Sequence, residues 1–259
     1  MDLSIPTPPQ ATVLQTLRDR IARLEHSTTR PHRATLPLHP AIDPALPGGG
    51  LPLGALHEAA GAGPDTEHGA AAALFFAGIL ARLPGPVLWV QEHADLFAPG
   101  LAAVGLHPDR VIYAEATKPD AVLQAMEEGL RQPGLAGVVG EIGGKLTLTA
   151  SRRLQLAAEA AGTLALALRR SRKHDDPALA APTAAITSWR IAALPSPPPL
   201  PHAPDTPGLG PQRWRLELVR CRGGKPSTWI VEACDAEGRL GLVADAGDGS
   251  ATPARRRSA

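Results

Sequence analysis

Gly61-Ala62-Gly63-Pro64-Asp65-Thr66-Glu67-His68-Gly69-Ala70-Ala71-Ala72 lies between a strand-like run, Leu53 to Ala59, and a helical run, Ala70 to Leu83. A glycine-rich loop in that setting can cradle a polyphosphate on its backbone N–H groups. A Lys then neutralises the ligand and a Ser or Thr hydroxyl holds Mg²⁺. The working spacing is G-x-x-x-x-G-K-[ST]. Here five residues separate Gly63 from Gly69, and Ala70 and Ala71 stand in the places of Lys and Ser/Thr. Glu67 adds negative charge where the ligand would be polyanionic. Gly61, Gly63 and Gly69 therefore mark a degenerate phosphate loop. No cofactor is expected in it, and the chain reads as a non-enzyme.

Two acids stand near positions that nucleotide chemistry would use. Glu92, in Gln91-Glu92-His93-Ala94, follows the next strand, where a base could activate an attacking water; without a Lys on the γ-phosphate it has little to act upon. Glu141 ends Val138-Val139-Gly140-Glu141, where an acid would hold Mg²⁺, but it lies beyond a Gly and is the wrong length. Mg²⁺ tolerates displaced ligands poorly, so Glu141 reads as a structural end-of-strand acid. Arg152 and Arg153 open a helix and oppose its dipole. They could grip a partner's carboxylates or phosphates, or pair with Glu141 or Glu159. Arg169, Arg170, Arg172 and Lys173 open a loop and could contact the phosphates of DNA, in a salt-sensitive and sequence-blind way. His57-Glu58 is not followed by the second His of H-E-x-x-H, and no His pair has a metal spacing.

The elements that would place these groups alternate along the chain. Strands are expected at Val87–Gln91, Arg110–Ala114, Leu135–Glu141 and Thr163–Leu168, with helices at Leu96–Val104, Pro119–Leu130 (N-capped by Thr117) and Thr149–Ala161. Continuous apolar strands separated by helices argue for a parallel sheet covered on both faces. Further on, Ala184–Ala193 reads as a strand, and Arg213–Arg222 alternates with Trp214, Leu216 and Leu218 on one side. The turn Gly223-Gly224-Lys225-Pro226 returns it into Ser227–Ala233 as an antiparallel hairpin. At the N-terminus, Gln10 to His26 reads as a separate helix with Leu14, Leu17, Ile21 and Leu24 in one apolar seam. Such a short seam must dock on something. Ser27 to His39 reads as a linker and Ala251 to Ala259 as a disordered tail. The division is 1–39, helix and linker; 40–245, core; 246–259, basic tail.

A chain of 259 residues can bury a full core. Aromatic residues make up only 3%, which predicts an aliphatic core and few base-stacking surfaces. Net charge is +1, but residues 1–150 carry 10 Lys/Arg against 15 Asp/Glu, and residues 151–259 carry 16 against 10. That asymmetry fits a basic face on the C-terminal half, or ordinary strand-edge and tail charge. Two cysteines make neither a disulfide framework nor a metal site. No run reaches the ~20 apolar residues of a membrane span. A soluble, cytoplasmic, reduced protein is expected.

Leu38 to Glu58, including Ile42-Asp43-Pro44-Ala45-Leu46-Pro47-Gly48-Gly49-Gly50-Leu51-Pro52-Leu53-Gly54, resembles the segment leading into the phosphate loop of RecA-like recombinases. Taken with Gly140-Glu141-Ile142, Leu148 through Glu159, Ser188-Trp189-Arg190-Ile191 and Trp214-Arg215-Leu216-Glu217-Leu218, it resembles the ImuA family of RecA-like damage-inducible mutagenesis proteins. The resemblance runs from about residue 10 to 245. It implies an α/β RecA-like core with a mostly parallel sheet, and a role in SOS-induced error-prone translesion synthesis. The partners it implies are ImuB, a Y-family-like protein without polymerase activity, and a second, error-prone DnaE-type polymerase. RecA and DNA are further candidate partners. On this reading Leu14, Leu17, Ile21, Leu24, Arg152 and Arg153 bind partners. Two rivals stand beside it: a weak ATPase using Arg152 or Lys145 as phosphate cation, and a division inhibitor of the SulA kind, to which the family is related.

Overall fold

The computed structural model describes residues 34–200 and 202–243. The expected N-terminal helix, with Leu14, Leu17, Ile21 and Leu24, and the tail from 246 lie outside the described residues. A two-stranded ribbon, β1 (Thr35–Leu36) against β2 (Leu51–Pro52), precedes β3 (Leu56–Gly61). Then come α1 (Asp65–Ala81), β4 (Val87–Gln91), α2 (Ala98–Ala103), β5 (Val111–Glu115) and α3 (Pro119–Leu130). After them follow β6 (Gly137–Gly143), α4 (Leu148–Ala161), β7 (Leu164–Arg170), the single turn α5 (Pro177–Ala180) and β8 (Thr187–Leu194). The chain ends in β9 (Arg213–Cys221), β10 (Ser227–Glu232) and β11 (Gly241–Leu242).

The main sheet has the order β11-β10-β9-β8-β3-β7-β6-β4-β5. From β8 to β5 every neighbour is parallel; from β8 to β11 every neighbour is antiparallel. The expected mostly parallel sheet with a C-terminal hairpin is thus present. Phe75 and Phe76 of α1 cover one face, over Trp89, Val139, Leu166 and Leu168. On the other face Val122, Met126, Leu154 and Ala158 of α3 and α4 cover Val90, Val138, Ala165 and Ala167. Residues along α1 from Ala71 to Leu80 are buried almost without interruption, which is why its sequence shows an apolar run rather than a seam.

Several boundaries differ from expectation, each for a local reason. The strand expected over Leu53–Ala59 breaks at Gly54, whose φ of 60° belongs to the left-handed region. A Cβ there would also press on the Cα of Gly162, the left-handed cap of α4. Lys118, not Thr117, is the N-cap of α3, because Pro119 fixes the first helical position one residue later. The stretch read as linker up to His39 belongs to the body from Thr35 onward, with Leu38 buried. The core is less aliphatic than composition suggests: Trp89, Trp189 and Trp214 are fully buried. Trp189 ties the hairpin to the body, with its ring 5.4 Å from Phe75 of α1 and 6.3 Å from Trp229 of β10.

Gly140, in the middle of β6, sits directly beneath α3. A Cβ at this position would overlap the sulfur of Met126, which is fully buried and has no room to swing away. Gly140→Ala should cost about 1–3 kcal/mol in urea unfolding through overpacking. Combining it with Met126→Ala should cost less than the two single changes added together. Strict additivity would show that this contact does not set the spacing of helix and strand.

Candidate functional site

In an open parallel sheet, ligands bind beyond the carboxyl ends of the strands. Here the ends of β6 and β7, the residues that follow β4 and the start of α1 surround a cleft of ≈ 950 Å³, lined by Asp65, Glu92, Asp95, Glu141, Arg170 and Lys173 among others. The glycine-rich loop is shorter than its sequence suggested. Helix α1 begins at Asp65, not Ala70, so Glu67, His68 and Gly69 are helical and only Ala62, Gly63 and Pro64 connect strand to helix. Pro64 at the N-cap and acids in the first turn are ordinary helix-start chemistry.

Two of the amides at the strand-to-helix connection are used internally. Ala62 N–H donates to the Ile191 carbonyl at 2.9 Å and Asp65 N–H to the Ser171 carbonyl at 2.8 Å, while Pro64 has no N–H. The glycines make room for side chains instead. A Cβ at Gly61 or Gly63 would meet His68, which accepts a hydrogen bond from Ala193 N–H at 3.2 Å. A Cβ at Gly69 would crowd Asp65, one helical turn earlier.

Arg170, the last residue of β7, fills the centre of the cleft. Its Nε donates to Asp65 at 2.8 Å, its Nη1 to Glu141 at 2.8 Å and its Nη2 to Asp95 at 2.7 Å. Glu141 is buried and also accepts from Trp89 Nε1 at 2.8 Å. Burial alone would lower the Arg170 pKa, but the three carboxylates outweigh it and hold the guanidinium above its usual value. At Glu141 burial wins: the carboxyl is pushed above the usual carboxylate range, against the pull of Trp89 and Arg170. Glu92 lies at the rim, and the buried oxygens Gln91 Oε1 and Glu92 Oε1 have no hydrogen-bond partner among the described residues.

The neighbouring residue faces the other side of the sheet, as successive strand residues must. Arg169 is buried and pairs with Glu58 at 3.3 Å; it also donates to the carbonyls of Gly144 at 2.7 Å and Ala178 at 3.2 Å. Arg220 of β9 joins at 2.9 Å from Glu58, and Thr183 donates to the same carboxylate at 3.0 Å. Of the four cations read as a DNA-contacting loop, Arg169 and Arg170 are therefore committed inside the fold. Only Arg172 and Lys173 are exposed. The reason is positional: they follow the end of β7, while the first two belong to it.

On α4, Thr147 caps the helix by accepting from Ala150 N–H at 3.2 Å. Arg153 bridges to Glu127 of α3 rather than to Glu141 or Glu159. Arg152 is exposed and makes no ion pair among the described residues. Leu148 and Leu156, one turn before and one turn after Arg152, are also exposed, at 54% and 51%. His57 is a satisfied core residue, with Nδ1 2.7 Å from Thr187 Oγ1 and Nε2 2.8 Å from the Pro52 carbonyl. Burial pushes the Cys221 and Cys234 thiols up to about 11 and about 12, so both stay protonated at neutral pH. No group of His, Cys, Asp and Glu among the described residues is arranged to hold a metal. No helix among them is long and apolar enough to cross a membrane.

Two curated proteins called Protein ImuA, from Caulobacter vibrioides strains NA1000 / CB15N and ATCC 19089 / CIP 103742 / CB 15, are each 45% identical to this chain over 205 residues. Each match covers 76% of the chain and 82% of the relative. The chain belongs to the ImuA family. No family model matches it. Among solved structures, the RadB recombinase superposes with a TM-score of 0.51 at 15% identity, covering 76% of this chain and 94% of that one. The ImuA-family core is thus RecA-like in fold, and the Arg170 cluster stands on the phosphate-loop side of it.

Two measurements probe these clusters. Glu58→Ala strands Arg169 in the core and should cost about 3–5 kcal/mol, while Arg172→Ala should stay within about 0.5 kcal/mol; equal costs in chemical denaturation would contradict the burial assignments. Glu141 has a folded pKa raised above its unfolded value. Its contribution to stability is therefore fullest at low pH and is lost as the pH climbs through the folded pKa. The stability of the wild type relative to Glu141→Gln should fall as the pH rises from the ordinary carboxylate range. A rising difference would mean that the Arg170 charge outweighs burial at Glu141.

Proposed function

We propose that this ImuA-family protein is a non-catalytic RecA-like adaptor in SOS-induced, error-prone translesion DNA synthesis. It acts with an ImuB-like Y-family protein and a second DnaE-type polymerase. The observation that carries the reading is Arg170, which sits among Asp65, Asp95 and Glu141 where a nucleotide enzyme would need its own phosphate and Mg²⁺ ligands. Loop amides already bonded to Ile191 and Ser171 support the same conclusion. Binding of partners then falls to the surfaces that the fold leaves unused. On α4 these are Arg152 and the exposed Leu148 and Leu156, with Arg153 at the groove against α3. The sequence adds the seam Leu14, Leu17, Ile21 and Leu24. DNA contact, where it occurs, rests on the exposed Arg172 and Lys173.

Co-purification of the full chain with the ImuB-like and DnaE-type proteins, with and without single-stranded DNA, tests the reading. Leu17→Asp with Ile21→Asp, or Arg152→Glu with Arg153→Glu, should reduce recovery of a partner at least about tenfold, equivalent to about 1.4 kcal/mol. The melting temperature of the core should stay unchanged. Undiminished recovery with both pairs would remove these surfaces from the account. Titration with Mg²⁺ and ATP at millimolar concentration should give no heat; saturable heat would restore an ATPase.

A further inference from the structure

We propose that Arg170 is the resident cation of the cleft: a built-in ligand that holds the strand ends and the cleft rim in one fixed arrangement, as a bound metal and nucleotide would otherwise do. The inference stands on geometry and does not depend on the adaptor reading.

Three carboxylates reach one guanidinium from three separate elements. Asp65 begins α1, Asp95 lies in the connection between β4 and α2, and Glu141 lies near the end of β6. Each takes a different nitrogen, at 2.7 to 2.8 Å, so the planar fork of the Arg is used on all its edges. Side-chain exposure grades outward, from 4% at Glu141 through 15% at Asp65 to 50% at Asp95. One positive charge is therefore shared among three carboxylates in a site that is partly closed to water. Without it the acids would repel one another, and Glu141 would be left buried with only the Trp89 hydrogen bond.

The outer arm of this arrangement has a mechanical consequence. Asp95 belongs to the rim segment 92–97, which has no regular secondary structure and carries Phe97 at 71% exposure. Leu96 of this segment packs against the core, while the polar tie of the segment to the cleft is Asp95 on Arg170. In a ligand-gated cleft, such a rim would order only when ligand bound. Here the order is supplied by the chain, so the rim and Phe97 are presented in one state whether or not nucleotide is present.

Arg170→Ala, made in the full-length protein, should melt roughly 6–10 °C below wild type. Because it leaves three hard oxygen ligands facing one space, Ca²⁺ or Mg²⁺ at millimolar concentration should recover more than half of that loss at matched ionic strength. Wild type should not respond, and Arg170→Ala combined with Asp65→Asn should lose the recovery. A purely packing role would lower the melting temperature without cation recovery, and that result overturns the proposal. So does an Arg170→Ala variant that melts with the wild type.

Should Arg170→Ala not fold, Asp95→Ala removes only the half-exposed partner. Amide exchange in residues 92–97 should then quicken at least about tenfold, with β6 and β7 unchanged. Unaltered exchange overturns the proposal, as would protection of residues 92–97 by Mg²⁺ and ATP in the wild-type protein.

Discussion

Two consecutive arginines at the end of β7 hold the carboxyl edge of the sheet together. Side chains alternate across a strand, so Arg169 and Arg170 enter opposite faces and meet different acids. Arg169 serves Glu58 on the face shared with α4, beside Thr183 and Arg220. Arg170 serves Glu141, Asp65 and Asp95 on the face shared with α1. Two parallel strands here carry almost fully buried acids, Glu58 within β3 and Glu141 near the end of β6. Their ionised forms could not remain in such surroundings without partners. The pair of guanidiniums supplies positive charge from within the chain to the buried acids on both faces of this sheet edge.

That dependence explains why part of the molecule could be read from its residues and part could not. Val87–Gln91 and Pro119–Leu130 match their elements to the residue, because an unbroken apolar run and a Pro at a helix start are local signals. The alternation of Trp214, Leu216 and Leu218 likewise predicts their burial against the body. The Arg170 cluster carries no local signal. Its contacts span sequence separations of 29, 75 and 105 residues, and that of Arg169 with Glu58 spans 111. A run of cations ordinarily reads as a solvated loop, and only the topology reveals that its first half is still strand. One clue was available: Asp65 stands just after Pro64, where a helix start favours an acid, and an acid there repels phosphate.

The glycines at the junction of β3 and α1 make the same point in steric form. Gly61, Gly63 and Gly69 look like phosphate-loop glycines, yet the space they clear is taken by His68 and Asp65. A small residue permits close approach by whatever is present, and a motif alone does not say what that is. The family resemblance correctly supplied the fold, because the order of strands and helices is set by hydrophobic pattern and survives the loss of individual ligands. It could not supply the charge arrangement inside the cleft.

A RecA-like core needs its strand ends satisfied, since the acids and amides there are part of the chain whether or not a ligand comes. Neutralising the acids one by one would remove the need, but each would have to change in step. A single Arg reaching all three solves the problem with one side chain, at the cost of a net negative cluster. That cluster disfavours polyphosphate, and the hydrogen bonds of Arg170 would have to be broken before a metal could take its place. The interaction that keeps the sheet edge intact thus also occupies the cleft, which is why the proposed adaptor reading looks for partner binding on other surfaces such as α4.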